Sequence, residues 1–247
     1  MINVAVLGAS GRMGTHVVNA VSAADDMTVV AALGPEDDVS KAAQARATVA
    51  VDFTVPSATE GNVHALIDAG ISAVVGTSGW SQDALMRVEE HLRERPDLGV
   101  LIAPNFALGA VLAMRMSALA AKYFESVEIV ELHHPDKVDA PSGTAIHTAA
   151  AIAAARAEAG IPASPDATED FSNGARGADV SGVRVHSVRL RGLVAHEEIL
   201  MGNPGEQFMI RTDSFDRVSF MPGVLLGIRE VGNYSGLTLG LDKYMSL

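Results

Sequence analysis

The sequence predicts an α/β fold: an open parallel sheet with helices on both faces, joined to a second, smaller α+β domain with a mixed sheet. Two observations carry this. Over the first hundred residues, short apolar runs alternate with stretches of helical periodicity, the signature of right-handed βαβ crossovers. Beyond residue 106, strand-like runs follow one another directly, as antiparallel or mixed sheets require. A chain of 247 residues is long enough for one large domain or two modest ones. The expected division places 1–106 and 215–247 in one domain and 107–214 in the other.

The elements follow in order. Ile2 to Leu7 is a short β-branched run ending at Gly8, and residues 12–22 set Val17, Val18 and Val21 on one helical face. Met27 to Leu33 stops at Gly34-Pro35, and Val49 to Phe53 stops before Pro56, so both read as buried parallel strands. Ser57-Ala-Thr-Glu60 has capping-box spacing ahead of Val63, Leu66 and Ile67, which predicts a helix starting there with its first amides satisfied. Ser72 to Val75 is the fourth strand, 81–94 a helix carrying Leu85, Val88 and Leu92 on one face, and Gly99 to Ile102 the fifth strand. In the second domain Leu108 to Phe124 is helical, Val127 to Leu132 a strand, and Ser142 to Ala159 an alanine-rich helix. After a polar stretch, 162–182, come strands at Val183 to Leu190, Val194 to Met201 and Gln207 to Thr212. A helical pattern over Phe215 to Val231 and a tail, Gly236-Leu-Thr-Leu-Gly240, return to the first domain.

Composition excludes several classes. With 18 Lys+Arg against 30 Asp+Glu the net charge is −12, which argues against a phosphate-backbone binder, so nucleic acid is not an expected partner. The absence of cysteine rules out disulfides, thiolate metal sites and a cysteine nucleophile. The N-terminus lacks the basic flank of a secretory signal and no apolar run approaches the ~20 residues that span a bilayer, so a cytoplasmic protein without membrane contact is expected.

Gly8-Ala9-Ser10-Gly11-Arg12-Met13-Gly14 lies where the first strand meets the first helix. Glycines there allow a tight turn and close approach of the backbone to a pyrophosphate, whose charge the helix N-terminus stabilises. In that context the turn predicts a Rossmann-type dinucleotide-binding domain. The acid that selects a ribose 2′-hydroxyl belongs about twenty residues on, where Leu33 and Gly34 stand instead. Glu36, Asp37 or Asp38 can substitute from the following loop, or that loop is simply solvated. Arg12 is placed for a 2′-phosphate or the pyrophosphate, or else is a solvated first-turn arginine. Ligands of open parallel sheets sit outside the carboxyl ends of the strands. Phe53-Thr54, Gly76-Thr77-Ser78 and Ala103-Pro104-Asn105-Phe106 lie at three such ends and are candidates to line a nicotinamide pocket.

The segment Glu131 to Ala145 joins a strand to a helix and gathers His133, His134 and Lys137 ahead of a helix start at Ser142-Gly143-Thr144. Paired histidines alone admit a metal site, a buried polar pair or an interface. Here no familiar metal signature is present, and a lysine and a helix N-terminus repel cations, so a carboxylate ligand fits better and no metal is assigned.

Together the Gly8 to Gly14 turn, Val51-Asp-Phe-Thr54, Gly76-Thr77, Ala103 to Phe106 and above all Glu131 to Ala145 resemble the 4-hydroxy-tetrahydrodipicolinate (dihydrodipicolinate) reductase family, nearly end to end. The resemblance implies NADH or NADPH as cofactor, a small dicarboxylate substrate, a homotetramer formed through the second domain, and a place in lysine and diaminopimelate biosynthesis. By position it implies His133 as the acid/base, His134 as a substrate contact, Lys137 in proton donation and substrate binding, and Gly143 and Thr144 as the amides that hold a substrate carboxylate. The reaction it implies delivers a hydride to ring C4 of a cyclic imine and needs a proton at C3, supplied by His133 or Lys137. Two other readings share part of the pattern: a Rossmann-type oxidoreductase acting on another small oxo or imino acid, and a non-catalytic NAD(H)-sensing module. Neither has reason to carry the His133 to Thr144 segment.

Overall fold

The computed structural model describes residues 1–170 and 172–245; residue 171 in the polar stretch and residues 246–247 of the expected first domain lie outside it. The chain forms two compact units, one of residues 1–107 with 217 onward, the other Leu108–Asp216. The first begins β1 (Ile2–Leu7), α1 (Arg12–Ser22), β2 (Met27–Leu33), α2 (Ser40–Gln44), β3 (Val49–Asp52), α3 (Pro56–Asp68), β4 (Ser72–Val75), α4 (Gln82–Leu92) and β5 (Gly99–Ile102). The second comprises α5 (Leu108–Ala120), β6 (Ser126–His133), α6 (Gly143–Glu158), β7 (Ala178–Val180), β8 (Val183–Arg189), β9 (Ala195–Asn203) and β10 (Glu206–Ser214). The chain then adds α7 (Met221–Glu230) and β11 (Gly236–Leu239) to the first unit.

In the first unit six parallel strands run in the order β11-β5-β4-β3-β1-β2. Every residue of β3, β4 and β5 is buried, as strands covered by helices on both faces must be. That explains their unbroken apolar runs, in which Asp52 and Ser72 are the two polar residues. In the second unit the order is β10-β9-β6-β8-β7, with β6 and β8 parallel and the other pairs antiparallel. Ile129 of β6 pairs with Ile199 of β9, both fully buried against Ala145, Ala149 and Ile152 of α6. Each such isoleucine stabilises the unit by about 1.5–3 kcal/mol through burial.

The structure corrects four local expectations. The helix after β3 starts at Pro56, not Ser57: Val55 is its N-cap, without a side-chain cap bond, and Glu60 pairs with Arg87. Proline wins because its fixed φ suits the first helical turn and its missing N–H costs nothing there. The helix from Leu108 ends at Ala120 and tightens into a 3₁₀ turn, Ala121–Tyr123. The pattern over Phe215 to Val231 is 3₁₀ at Arg217–Phe220, α-helical only from Met221, where Pro222 again opens the helix, and 3₁₀ from Val231. Finally, the polar stretch contains β7, whose three residues are too few to show alternation, and α2 is a further short element.

Candidate functional site

In the first unit, the loops at the carboxyl ends of β1 and its neighbours enclose a cavity of about 650 Å³, within the range of small-molecule sites. Its floor is the glycine turn. Gly8 has φ +77°, the left-handed region that glycine enters without strain. A Cβ on Gly14 would lie 2.0 Å from the Gly8 carbonyl oxygen. The first turn of α1 therefore packs directly onto the loop and brings Ser10, Gly11, Arg12 and Met13 to the cavity wall. A Cβ on Gly76 would meet the Phe53 ring at 2.0 Å, so that ring lies flush on the β4 loop.

Of the residues expected to hold a dinucleotide, Gly8, Ser10, Gly11, Arg12, Met13, Phe53, Thr54, Gly76, Thr77 and Ser78 line this cavity, and Ala9 lies within the turn. Ala103, Pro104, Asn105 and Phe106 stand at the end of β5 and are not among its lining residues. Phe106 is buried with its ring 5.8 Å from that of Phe53, and Asn105 Oδ1 accepts the Ala107 amide at 2.8 Å. Phe106 thereby braces Phe53, one of the lining residues.

Two acids order the loops around this cavity. Asp52, fully buried, accepts the Thr54 amide (2.8 Å), Thr54 Oγ1 (2.7 Å), Thr77 Oγ1 (2.9 Å) and Asn62 Nδ2 (2.9 Å). It ties the β3 and β4 loops to α3. Asp37 lines the cavity; its carboxylate accepts the Gly34 amide at 2.8 Å and Lys41 Nζ at 2.5 Å. The bond from Lys41, helped by that from Gly34, holds its carboxyl below the usual range. Of the three acids in the loop, Asp37 is therefore the one fixed at the wall, while Asp38 accepts the Ser40 amide and Glu36 is exposed.

In the second unit, the carboxyl end of β6 carries the other group. Glu131 is fully buried. Its Oε2 lies 2.5 Å from His133 Nδ1, Arg189 grips both oxygens at 2.8 Å, and the Ser142 amide donates to Oε1 at 3.1 Å. Burial opposes its ionisation, but the bonds from His133 and Arg189 prevail and lower its carboxyl to about 2. With the Arg189 and Ser142 donors already on it, Glu131 serves as the acceptor in the His133 contact, which places a proton on Nδ1 there. Ser142 caps α6, its Oγ accepting the Ala145 amide at 3.1 Å, and so fixes the helix start that bears Gly143 and Thr144. Lys137 Nζ donates to Asp139 at 2.8 Å, and its backbone amide to the His134 carbonyl at 3.3 Å. Asp139 also draws on the Gly143 amide, so Lys137 and the helix start already share one carboxylate. Across the β6–β9 pairing from Glu131 stands Glu197, buried, accepting from Thr148 Oγ1 at 3.2 Å. Burial chiefly, and the charge of Glu131 in addition, push it up to about 7.

A glycine turn opening a parallel sheet, a strand-end cavity and a second unit with a mixed sheet define the class: a nucleotide-dependent α/β oxidoreductase of two units. The family follows from the comparisons, and the chain belongs to the dihydrodipicolinate reductase family. The family model for the N-terminal part of dihydrodipicolinate reductase matches residues 2–106, and that for the C-terminal part matches 109–245. The chain is 63% identical over 246 residues to 4-hydroxy-tetrahydrodipicolinate reductase of Beutenbergia cavernae, covering 100% of this chain and 99% of that one. It is 55% identical over 254 residues to the enzyme of the same name from Bifidobacterium animalis subsp. lactis, covering 100% of both. Dipicolinate-bound dihydrodipicolinate reductase from Paenisporosarcina sp. TG-14 superposes with a TM-score of 0.90 at 35% identity, over 99% of this chain and 100% of that one. An amine dehydrogenase from Mycobacterium smegmatis, at 12% identity and a TM-score of 0.64 over 98% of this chain and 95% of that one, shares the fold alone. The function that goes with membership is reduction of 4-hydroxy-tetrahydrodipicolinate in lysine and diaminopimelate biosynthesis. No helix among the described residues is long and apolar enough to cross a membrane.

Proposed function

We propose that the first unit binds NADH or NADPH in the glycine-turn cavity and that the second binds the dicarboxylate ring and supplies its proton. The fit of a dinucleotide rests on the close packing of α1 on the turn, which leaves backbone amides and a helix N-terminus to face a pyrophosphate. When bound, the cofactor supplies the hydride that goes to ring C4. Asp37 stands where a ribose is recognised, with its charge offset by Lys41 and with the exposed Arg12 at the same cavity. Attraction and repulsion toward a 2′-phosphate are therefore balanced, and both cofactors support turnover.

The observation that carries the substrate assignment is the fixed His133 ring beside a lysine and a capped helix start, all on one strand-to-helix junction. Lys137 and the Gly143 and Thr144 amides hold a substrate carboxylate, replacing Asp139 as their anion, and His134 contacts the ring. His133, charged through both nitrogens, gives the Nε2 proton to C3, while Glu131 keeps the Nδ1 proton in place. The protein is cytoplasmic in this reading and a homotetramer through the second unit. Supporting that assembly, Phe208 and Met209 on the outer strand β10 are 42% and 48% exposed, and sedimentation measures it.

The deciding experiment supplies purified protein with the condensation product of pyruvate and aspartate semialdehyde, generated enzymatically, and follows absorbance of NADH and NADPH. Oxidation only when the product is present supports the assignment. Oxidation without it, or none with it, overturns the assignment.

A further inference from the structure

Glu131 is fully buried, yet it joins the two functions proposed for the second site. One oxygen fixes His133, the proposed proton donor, and the other fixes Ser142, the cap of the helix whose first amides are to hold a carboxylate. Both oxygens are gripped by Arg189. Arg189 is itself tied to the backbone carbonyls of Val188 (2.8 Å) and Asp139 (2.7 Å). With the Ser187 hydroxyl as a further partner, this carboxylate has no exposure and is held at both oxygens.

We propose that Glu131, clamped by Arg189, is a positioning residue that sets the His133 tautomer and the α6 start together, so that proton delivery and carboxylate capture share one buried anchor. The proposal rests on His133 being the acid. A neutral imidazole whose Nδ1 proton is committed to Glu131 leaves Nε2 as the nitrogen that exchanges a proton with substrate. The neighbouring elements carry further charged and titratable groups. Arg189 comes from β8, Glu197 from β9, and Lys137, Asp139 and His134 from the loop after β6.

A substitution that keeps volume but removes charge separates positioning from bracing. In Glu131→Gln one oxygen becomes an amide donor, which either opposes the Ser142 amide or donates to His133 Nδ1 and reverses the tautomer. The expected result is a fall in kcat of about 10² to 10⁴, as when a general acid is misoriented. The dissociation constant for NADH should stay within twofold of wild type. Nitrogen-15 NMR of histidine-labelled wild-type protein above the His133 titration should show Nδ1 protonated and Nε2 bare, and this measurement needs no variant to fold. A neutral His133 protonated on Nε2 in the wild type overturns the proposal. So does a folded Glu131→Gln enzyme with wild-type kcat while His133→Gln is slow, which would spare the acid assignment. If His133→Gln itself turns over normally, the acid assignment fails, and with it the catalytic part of this proposal.

Discussion

Asp52 in the first unit and Glu131 in the second are both carboxylates with no exposure, each near the carboxyl end of a strand, but they are satisfied by different chemistry. Asp52 is held by a backbone amide, two threonine hydroxyls and an asparagine. Glu131 is held by an arginine, a histidine and a helix-capping amide. Neutral donors fix a loop without creating a strong field, which suits a cavity whose ligand is positioned by backbone. Charged partners fix a side chain and also set its protonation state, which suits a site that must move a proton. The difference teaches that a buried carboxylate can be satisfied by neutral donors or by charged partners, and that only the second choice ties its geometry to a protonation state.

The largest test falls on the charged side. His133→Gln should lower kcat by about 10² to 10⁴ with a smaller change in KM, because a general acid contributes about that much. Lys137→Ala should raise the substrate KM and lower kcat together. If both variants changed KM alone, the second site would be a binding cradle like the first and the contrast would collapse.

The pH dependence of stability divides the two glutamates of the second unit. Glu131, depressed to about 2, contributes stability that is complete above its unfolded value of 4.5 and is lost as pH falls from 4.5 toward 2. Glu197, raised to about 7, does the reverse. The folded state holds its proton longer than the unfolded chain, so stability declines as pH rises from 4.5 to about 7 and is level beyond. Glu197→Gln should therefore gain about 2 to 3 kcal/mol relative to wild type between pH 5 and pH 8, at 1.36 kcal/mol per unit, read from urea titrations at the two pH values. A pH-independent difference would remove Glu197 from the account.

Effects at the glycine-turn cavity should be smaller. Asp52→Asn replaces an acceptor by a donor among the neutral donors of the two loops and should weaken NADH binding about tenfold, or roughly 1.4 kcal/mol, leaving the dissociation constant for pyridine-2,6-dicarboxylate in the second unit alone. Calorimetry on both ligands tests that separation. The smallest effect is expected at Asp37. Asp37→Ala should shift the NADPH/NADH ratio of kcat/KM toward NADPH by no more than about tenfold, since the Lys41 ammonium already offsets the charge and exposed pairs contribute about 1 kcal/mol or less. A thousandfold discrimination in the wild type would point to another selector.

How far each site can be read from sequence follows the same division. The glycine turn was legible because Gly8 and Gly14 answer to local geometry, a positive φ and a contact six residues apart. The parallel strands were legible because burial on both faces leaves unbroken apolar runs. A signal for Asp52 was present too, as a single acid ending such a run, but its role depends on Thr77 and Asn62, which arrive from other elements. Asp37 was one of three candidates in a row, and only the loop's hydrogen bonds separate it from Glu36 and Asp38. Arg189 had no local mark at all. It reaches Glu131 because β6 and β8 pair in parallel with His133 opposite Arg189, and register between residues 58 positions apart is not written in either strand. Helix starts failed where two local rules competed, as at Pro56 against Ser57.

The position of β11 sets an order of assembly. Gly236 through Leu239 pair in parallel with Gly99 through Ile102, so the outermost strand of the first sheet is translated after the whole of the second unit. The second unit is one continuous segment, with both of its sheet's outer strands and its helices at hand when residue 216 leaves the ribosome. The first unit at that moment has β5 as an open edge, an unpaired ladder of amides and carbonyls that invites pairing with other chains. A newborn chain therefore completes its inserted part before its outer one, and the interval before β11 docks is when the protein is most exposed to misassociation.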